Sequence, residues 1–541
     1  MTAHRPHQPA RWTVSVAGLA WCGAILFYAA VRAAALVHVP VGGLELWSLA
    51  GAWQAHTGFD DARYIPTLFQ ALTAGLFRVD GSELLPRLGA IAASLTVPAS
   101  LFALRERIGQ PAALAAVIIL AIDPLQVALG PTATVSAFDV PVVFAALACS
   151  ERFRASAWLA AAGGAAFATA GAGVLPLVFA AALCVRPRSL PGLPAAAASA
   201  GAAAGVLLAS TGFGAGWQGV TVPPFDHFAA GFDAEWSTET TRRLLALYGW
   251  APALAAGVWV ASRLHAGGPR LPGKQLDRFL AAWWASSLAW AVVAGGAHDP
   301  VPAAALTAAS AIPAARFLTA LVDQLGTVSW RKAGWPLAAA LLAAVTIVGP
   351  LLDWARLGRV GPGSEVAAVI VLSGVVIGAL VLLLRFPVTR PAAVLPAVAV
   401  AATPWLSGGF AVASGSPNEP LPSPVTTLQA SEIRDIIVGP SRDPSGIVAI
   451  HPAAADALTW PLRGASGLVV TSRIPPNAAV VIWEPGGSPP DGFRAYEGRW
   501  AILRERNGPA GGFLDYLRWL GSRNTLPVRD VSAAVYIREQ P

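Results

Sequence analysis

Glu45, Asp60, Asp61 and Arg63 lie in one short stretch, "VHVPVGGLELWSLAGAWQAHTGFDDARYIPTLFQ" (Val37–Gln70), directly after an apolar run that begins near Trp12. A carboxylate held at a membrane surface and partly desolvated can act as a general base toward a hydroxyl. Glu45 is the first such group, with Asp60 or Asp61 as support or metal ligand and Arg63 as a secondary member. Blander roles fit the same residues. The macrodipole favours a carboxylate in the first turn of a helix, and Asp60, Asp61 and Arg63 suit a solvated turn with a weak ion pair. Two cations lie further on. Arg87 in "ELLPRLGAI" is either a ligand for a phosphate group or an interfacial arginine that snorkels. His298, beside Asp299 in "GGAHDP", either contacts a phosphate or serves a solvated turn. Asp139, closing the turn "LGPTATVSAFD", is a further secondary acid. Asp226, His227, Asp233 and Glu235 lack metal-site spacing. A divalent cation, Mg or Mn, held by scattered acids is therefore left open but not specified.

The elements that must position these residues are membrane spans. Of 541 residues, 55% are hydrophobic and 12% charged, about half the charge of a soluble domain. Apolar runs of about 20 residues, the length that crosses a ~30 Å hydrocarbon core, recur along the chain. The composition predicts a polytopic α-helical membrane protein with spans near 12–37, 87–105, 111–129, 132–150, 155–170, 172–186, 193–211, 243–262, 278–296, 300–320, 334–352, 365–385 and 391–407. The net charge of +7 does not point to nucleic acid, because the basic residues fall between apolar runs and form no stripe. Arg5 and Arg11, Arg105 and Arg107, Arg152 and Arg154, Arg186 and Arg188, Arg263 to Arg278, Arg331 and Lys332, and Arg385 and Arg390 mark every second loop as cytoplasmic. Cys22, Cys149 and Cys184 sit in apolar segments without metal spacing.

About 13 spans place the N-terminus in the cytoplasm and everything beyond Gly408 outside a plasma membrane. The count requires "PTLFQALTAGLFRV" (66–79) to be an interfacial or re-entrant helix, too short to cross. The opening stretch, with its juxtamembrane helices across 38–86, then lies on the external face. The membrane part covers 1–407. A Pro/Ser-rich linker follows at 408–425, and 426–541 reads as an extracytoplasmic α/β domain. There "GIVAIH", "GLVVTS", "AAVVIW" and "VSAAVYIRE" have strand character and "GFLDYLRWLGSR" helical spacing. Its half-exposed strands predict docking on the membrane part.

The order of pieces over 12–150 resembles the membrane-embedded GT-C glycosyltransferases, in the protein-O-mannosyltransferase and aminoarabinose-transferase-like branch. An external acidic motif is matched by "LELWSLAGAWQAHTG", a proline-initiated helix by "PTLFQALTAGLFRVDG", and an arginine at the start of the next span by "LLPRLGAI". A cytoplasmic turn is matched by "LFALRERIGQPAALAAVIILAIDP". The resemblance implies sugar transfer from a polyprenyl-phosphate donor to a lipid or protein acceptor on the external face. It makes Glu45 part of the acidic motif, Arg87 the phosphate-side arginine, and His298 a basic residue preceding the next span. Two positions depart from the pattern. Leu44 stands where the acidic pair carries Asp, and the turn after Pro124 lacks its arginine, with Asp139 as a shifted acid.

Two rivals from other classes follow. A non-catalytic relative binding lipid-linked glycans in surface-polymer assembly accounts for Leu44 and the missing arginine. A transporter or flippase would show internal repeats and charges in mid-span; no repeat stands out, and the span centres read as nearly free of charge. The partners expected are a lipid-phosphate sugar, its acceptor and membrane lipids, not nucleic acid.

Overall fold

The computed structural model describes residues 15–57, 68–134, 136–153, 172–184, 241, 244–265, 274–293, 300–326, 405–406, 408–416, 421, 425–438, 446–465, 467–485, 489–506, 519 and 528–539. Four of the expected spans (155–170, 193–211, 334–352 and 365–385), and nearly all of the span at 391–407, the long loop 211–243 and the helix expected at 512–523, lie outside these residues.

Helix α1 (Val16–His38) starts at Ser15, whose hydroxyl accepts from the Gly18 N–H at 3.0 Å. It buries Trp21, Ala24, Tyr28, Val31, Arg32 and Ala35 and exposes Val16, Leu19, Leu26 and Val37. Helical spacing thus divides it into a packed stripe and a stripe of bare aliphatics suited to lipid. Short helices α2 (Gly43–Thr57) and α3 (Leu68–Leu76) follow; α3 is far too short to cross a bilayer. Helices α4 (Leu84–Ser94) and α5 (Thr96–Ile108) together form one apolar stretch long enough to cross. Gly109, at φ 97°, turns the chain directly into α6 (Gln110–Ile122), a backbone conformation that glycine adopts without strain.

The span expected at 111–129 is broken. Asp123 is extended (φ −63°, ψ 119°), and Pro124 opens a separate helix α7 (Pro124–Leu129). Proline lacks an N–H and disfavours a helical residue before it, so the helix stops at Ile122 and restarts. Helix α8 (Ser136–Phe153) follows. A 3-10 turn (Ala172–Val174) precedes α9 (Leu175–Cys184), and a π turn (Leu245–Gly249) leads into α10 (Trp250–His265). Helices α11 (Lys274–Val293) and α12 (Val301–Gly326) complete the described helical part. Among the described residues, α1, α4–α5 and α12 are long and apolar enough to cross a membrane.

The ends of these helices sort by charge. Asp277 at the start of α11 pairs with Arg316 of α12 and lies 3.8 Å from Arg263 of α10. Arg316 also donates to the carbonyls of Arg107 and Ile108 at the end of α5. Basic residues from loops that are distant in sequence therefore gather at one end of the bundle. The acidic stretch around Glu45 belongs to the other end.

At that other end sits a six-stranded mixed sheet, in the order β1 (Val425–Thr426), β5 (Phe493–Arg506), β6 (Val528–Arg538), β4 (Ala478–Trp483), β2 (Ile447–Ile450), β3 (Leu468–Val470). It carries helices α13 (Leu428–Val438) and α14 (Pro452–Leu458). Strands β2, β3, β4 and β6 coincide with the apolar runs read from the sequence. The longest strand, β5, escaped that reading. It contains six charged residues, and irregularities between Tyr496 and Trp500 and between Ala501 and Leu503 break the period of two. The sheet domain docks on the membrane part. Leu46, Leu49, Ala52 and Phe77 share one core with Ile433, Leu458 and Trp460. The Thr426 N–H donates to Val41 O at 3.2 Å. Arg463 stacks over Trp460 with its guanidinium 3.9 Å from the ring centroid, and donates to Gly81 O at 2.9 Å. Burial in this contact draws the Arg463 pKa below its ordinary value.

Candidate functional site

Glu45 and Arg87 meet. Glu45 lies in the first turn of α2 and Arg87 in the first turn of α4, and both are buried, at 1% and 6% exposure. The Arg87 Nε and Nη2 donate to Glu45 Oε1 and Oε2, each at 2.6 Å, in a two-point fork. Nη1 donates to Val39 O at 3.0 Å, and the Ala133 N–H donates to Glu45 Oε1 at 2.8 Å. Four segments are thereby tied together: the exit of α1, α2, α4 and the turn between α7 and α8. Arg87, expected to offer its guanidinium to a donor phosphate, commits all three nitrogens within the protein. Glu45, expected as a base, has both oxygens committed and almost no exposed surface. The pair clamps the turn from behind. The structure brings Glu45 and Arg87 together, but the two groups satisfy each other.

The cavity lies on the far side of that turn. It is a narrow, partly open cleft lined by Arg32, Gln126, Gly130, Asp139, Gly173 and Val301 among others. Neither Glu45 nor Arg87 lines it. The break between α6 and α7 builds one wall. Asp123 caps α7, its Oδ1 accepting from the Gln126 N–H at 2.9 Å and from the Thr307 hydroxyl at 3.3 Å. Gln126 Nε2 in turn donates to Ala304 O at 2.8 Å, which seats α7 against α12. Asp139 stands in the first turn of α8, and its Oδ2 accepts from the Gly173 N–H at 3.2 Å. A Cβ added to Gly173 would lie 2.5 Å from that oxygen, a distance at which something must move. Gly173→Ala is therefore expected to displace the Asp139 carboxylate and cut activity more than ten-fold, with little loss of folded protein. Turnover and thermal unfolding measured on the same preparation check this; unchanged turnover would remove Asp139's fixed position from the chemistry.

Arg32 was missed by the sequence reading, as was Asp123. Each is buried, at 1% exposure, and like Asp139 each lies toward a helix end or break within a stretch read as a span. The signal was present: Arg32 is the one Asp, Glu, Lys or Arg between Trp12 and His38, and a lone charge inside an apolar run is costly enough to demand a reason. Arg32 Nη2 donates to Leu120 O at 2.9 Å and sits near the Tyr28 hydroxyl at 3.5 Å. Of the other expected site residues, Asp60, Asp61, Arg63 and His298 lie outside the described residues, as do Asp226, His227, Asp233 and Glu235. Among the described residues no group of three His, Cys, Asp or Glu side chains is placed to hold a metal ion.

Taken together, the chain combines helices long and apolar enough to cross a membrane, a mixed sheet docked at one end and a cleft lined by Arg32 and Asp139. The chain matches crystal structures of ArnT from Cupriavidus metallidurans, an aminoarabinose transferase of the GT-C superfamily. With the structure bound to undecaprenyl phosphate it gives a TM-score of 0.53 at 15% identity, covering 96% of this chain and 98% of that one. With the apo structure the TM-score is 0.54 at 16% identity, with the same coverage. This likeness is one of fold, and it bears out the resemblance read from the first 150 residues across nearly the whole chain. No family model matches the sequence, and no curated protein does.

Proposed function

We propose that this chain is a membrane glycosyltransferase that moves a sugar from a polyprenyl-phosphate donor to a hydroxyl of a lipid or protein acceptor at the external face of the cell membrane. The observation that carries this reading is the fold of ArnT over 96% of the chain, one of whose crystal structures is bound to undecaprenyl phosphate. The gathering of Arg263 and Arg316 with the end of α5 supports a cytoplasmic side there, which leaves the cavity and the sheet domain outside. In the reaction, the acceptor oxygen attacks the anomeric carbon while the bond from that carbon to the phosphate oxygen breaks. The electron pair leaves with the lipid phosphate, and the acceptor proton passes to a carboxylate. Asp139, which lines the cavity, takes the role of base that the sequence resemblance gave to Glu45. Glu45 and Arg87 act as positioning residues that hold the turn over the cavity. Asp60 or Asp61, as support or as ligand for a divalent cation, and His298, beside the departing phosphate, complete the site by charge complementarity.

The test is an assay of membranes carrying the full chain with radiolabelled polyprenyl-phosphate sugars. Label entering a lipid or protein fraction is the expected result. A second reading, a non-catalytic binder of lipid-linked glycans in surface-polymer assembly, is favoured by one observation: Leu44 replaces an acid, and its neighbour Glu45 is locked to Arg87. Retention of the lipid phosphate without transfer from any donor in the series would select that reading.

A further inference from the structure

Three nitrogens of Arg32 face different surroundings. Nη2 is committed to Leu120 O. Nε and Nη1 are buried and have no hydrogen-bond partner among the described residues. Asp123 attracts the guanidinium through space but makes no hydrogen bond to it among the described residues. A guanidinium is permanently charged and presents five donors in a fixed plane, so burying it with two nitrogens unanswered is costly unless something else answers them. Arg32 lines the cavity together with Gly130 and Asp139. A Cβ on Gly130 would fall 2.8 Å from Gln126 O and 3.0 Å from both Arg32 Cδ and Nε, so the glycine lets both the backbone turn and the guanidinium sit close. Arg32 is six residues from the end of α1, about 9 Å below it at 1.5 Å per residue, and so sits at a depth reached by a group presented from the lipid more readily than by a freely hydrated one.

We propose that Arg32 is an anion-binding residue, receiving an oxygen of a phosphate or phosphodiester group on its uncommitted Nε and Nη1 inside the bundle. Asp139 lines the same cavity and sets the limit on charge. A single phosphate group meets the guanidinium, whereas a second anionic group near Asp139 is repelled. This inference rests on the transferase reading for its choice of phosphate but assigns a residue that neither the sequence motifs nor Glu45 and Arg87 supply.

The test uses the full chain in nanodiscs and measures binding of polyprenyl phosphate, with polyprenol and inorganic phosphate as the other probes. Arg32→Gln is expected to weaken polyprenyl phosphate binding at least ten-fold and to leave polyprenol binding unchanged. Arg32→Lys is expected to recover part of the loss. Gly130→Ala, which keeps the charge but presses on both Nε and Gln126 O, is expected to weaken binding as well, and together with Arg32→Lys it carries the test if Arg32→Gln does not fold. Competition by inorganic phosphate that disappears in Arg32→Lys or Gly130→Ala protein would show that the phosphate group alone suffices. Absence of such competition, with lipid binding still dependent on Arg32, would show that the site is loaded from the membrane. Polyprenyl phosphate binding that is unchanged in folded Arg32→Gln or, failing that, Gly130→Ala protein overturns the proposal. The two readings separate cleanly. Binding that depends on Arg32 without sugar transfer leaves Arg32 assigned and removes the transferase. Sugar transfer whose donor KM and kcat ignore these substitutions leaves the transferase and removes Arg32.

Discussion

Removing either partner of the Glu45–Arg87 pair is expected to destabilise the protein by about 3–5 kcal/mol, because the remaining charge is left buried and unanswered. The geometry puts the effect at the upper end for Arg87→Ala. That change frees both Glu45 oxygens from their fork and strips Val39 O of its donor. Arg87→Lys keeps the charge but cannot reproduce two parallel N–H bonds, and is expected to fall between wild type and Arg87→Ala. Replacing both residues by methionine is expected to cost less than either alanine substitution alone, since no charge is then stranded. It will still cost about 1–3 kcal/mol for each backbone group left without a partner, here the Ala133 N–H and Val39 O. Unfolding of wild type, Glu45→Met, Arg87→Met and the double methionine protein in mixed micelles measures the coupling. Additive losses would mean that the fork contributes nothing as a pair. The same set decides the role of Glu45. If it only positions the turn, transfer by Glu45→Gln follows the folded fraction. A loss of 10²-fold or more in kcat in fully folded protein would return the base to Glu45.

The second large effect falls on chemistry. Asp139→Asn is expected to lower kcat by about 10²–10⁴-fold, the range that a positioned general base contributes. Asn can still accept from the Gly173 N–H as Asp139 does at 3.2 Å, so the fold should tolerate it. Donor KM is expected to change little, since the carboxylate assists the acceptor proton rather than the phosphate. A measured kcat within three-fold of wild type (a loss far below that range) would take Asp139 out of the base role.

Much of this protein was legible in the sequence. Hydropathy is a sum over neighbours in the chain, so the apolar runs around α1, α4–α5 and α12 announced a membrane protein before any packing was known. The short apolar runs of β2 and β4, the alternation of β6 and the Pro/Ser-rich linker marked a separate sheet domain in the same local way. Local readings failed where local order is broken. Pro124 splits what hydropathy reads as one span, and the irregularities in β5 interrupt its alternation among charged residues.

Residue type and approximate location were also readable for the candidate site, since an acid and an arginine stand near the same membrane surface. What they do was not readable. Glu45 and Arg87 are 42 positions apart, and whether they face a substrate or each other depends on how α2 and α4 approach. The distance between Arg32 and Asp139 in sequence likewise hides that they line one cavity. Composition and periodicity thus determined a greasy bundle with an α/β appendage, because both depend on short-range order. Which charges are spent on one another and which remain to meet a ligand was decided by tertiary contact alone, because the energy of a buried charge depends on the atoms packed around it.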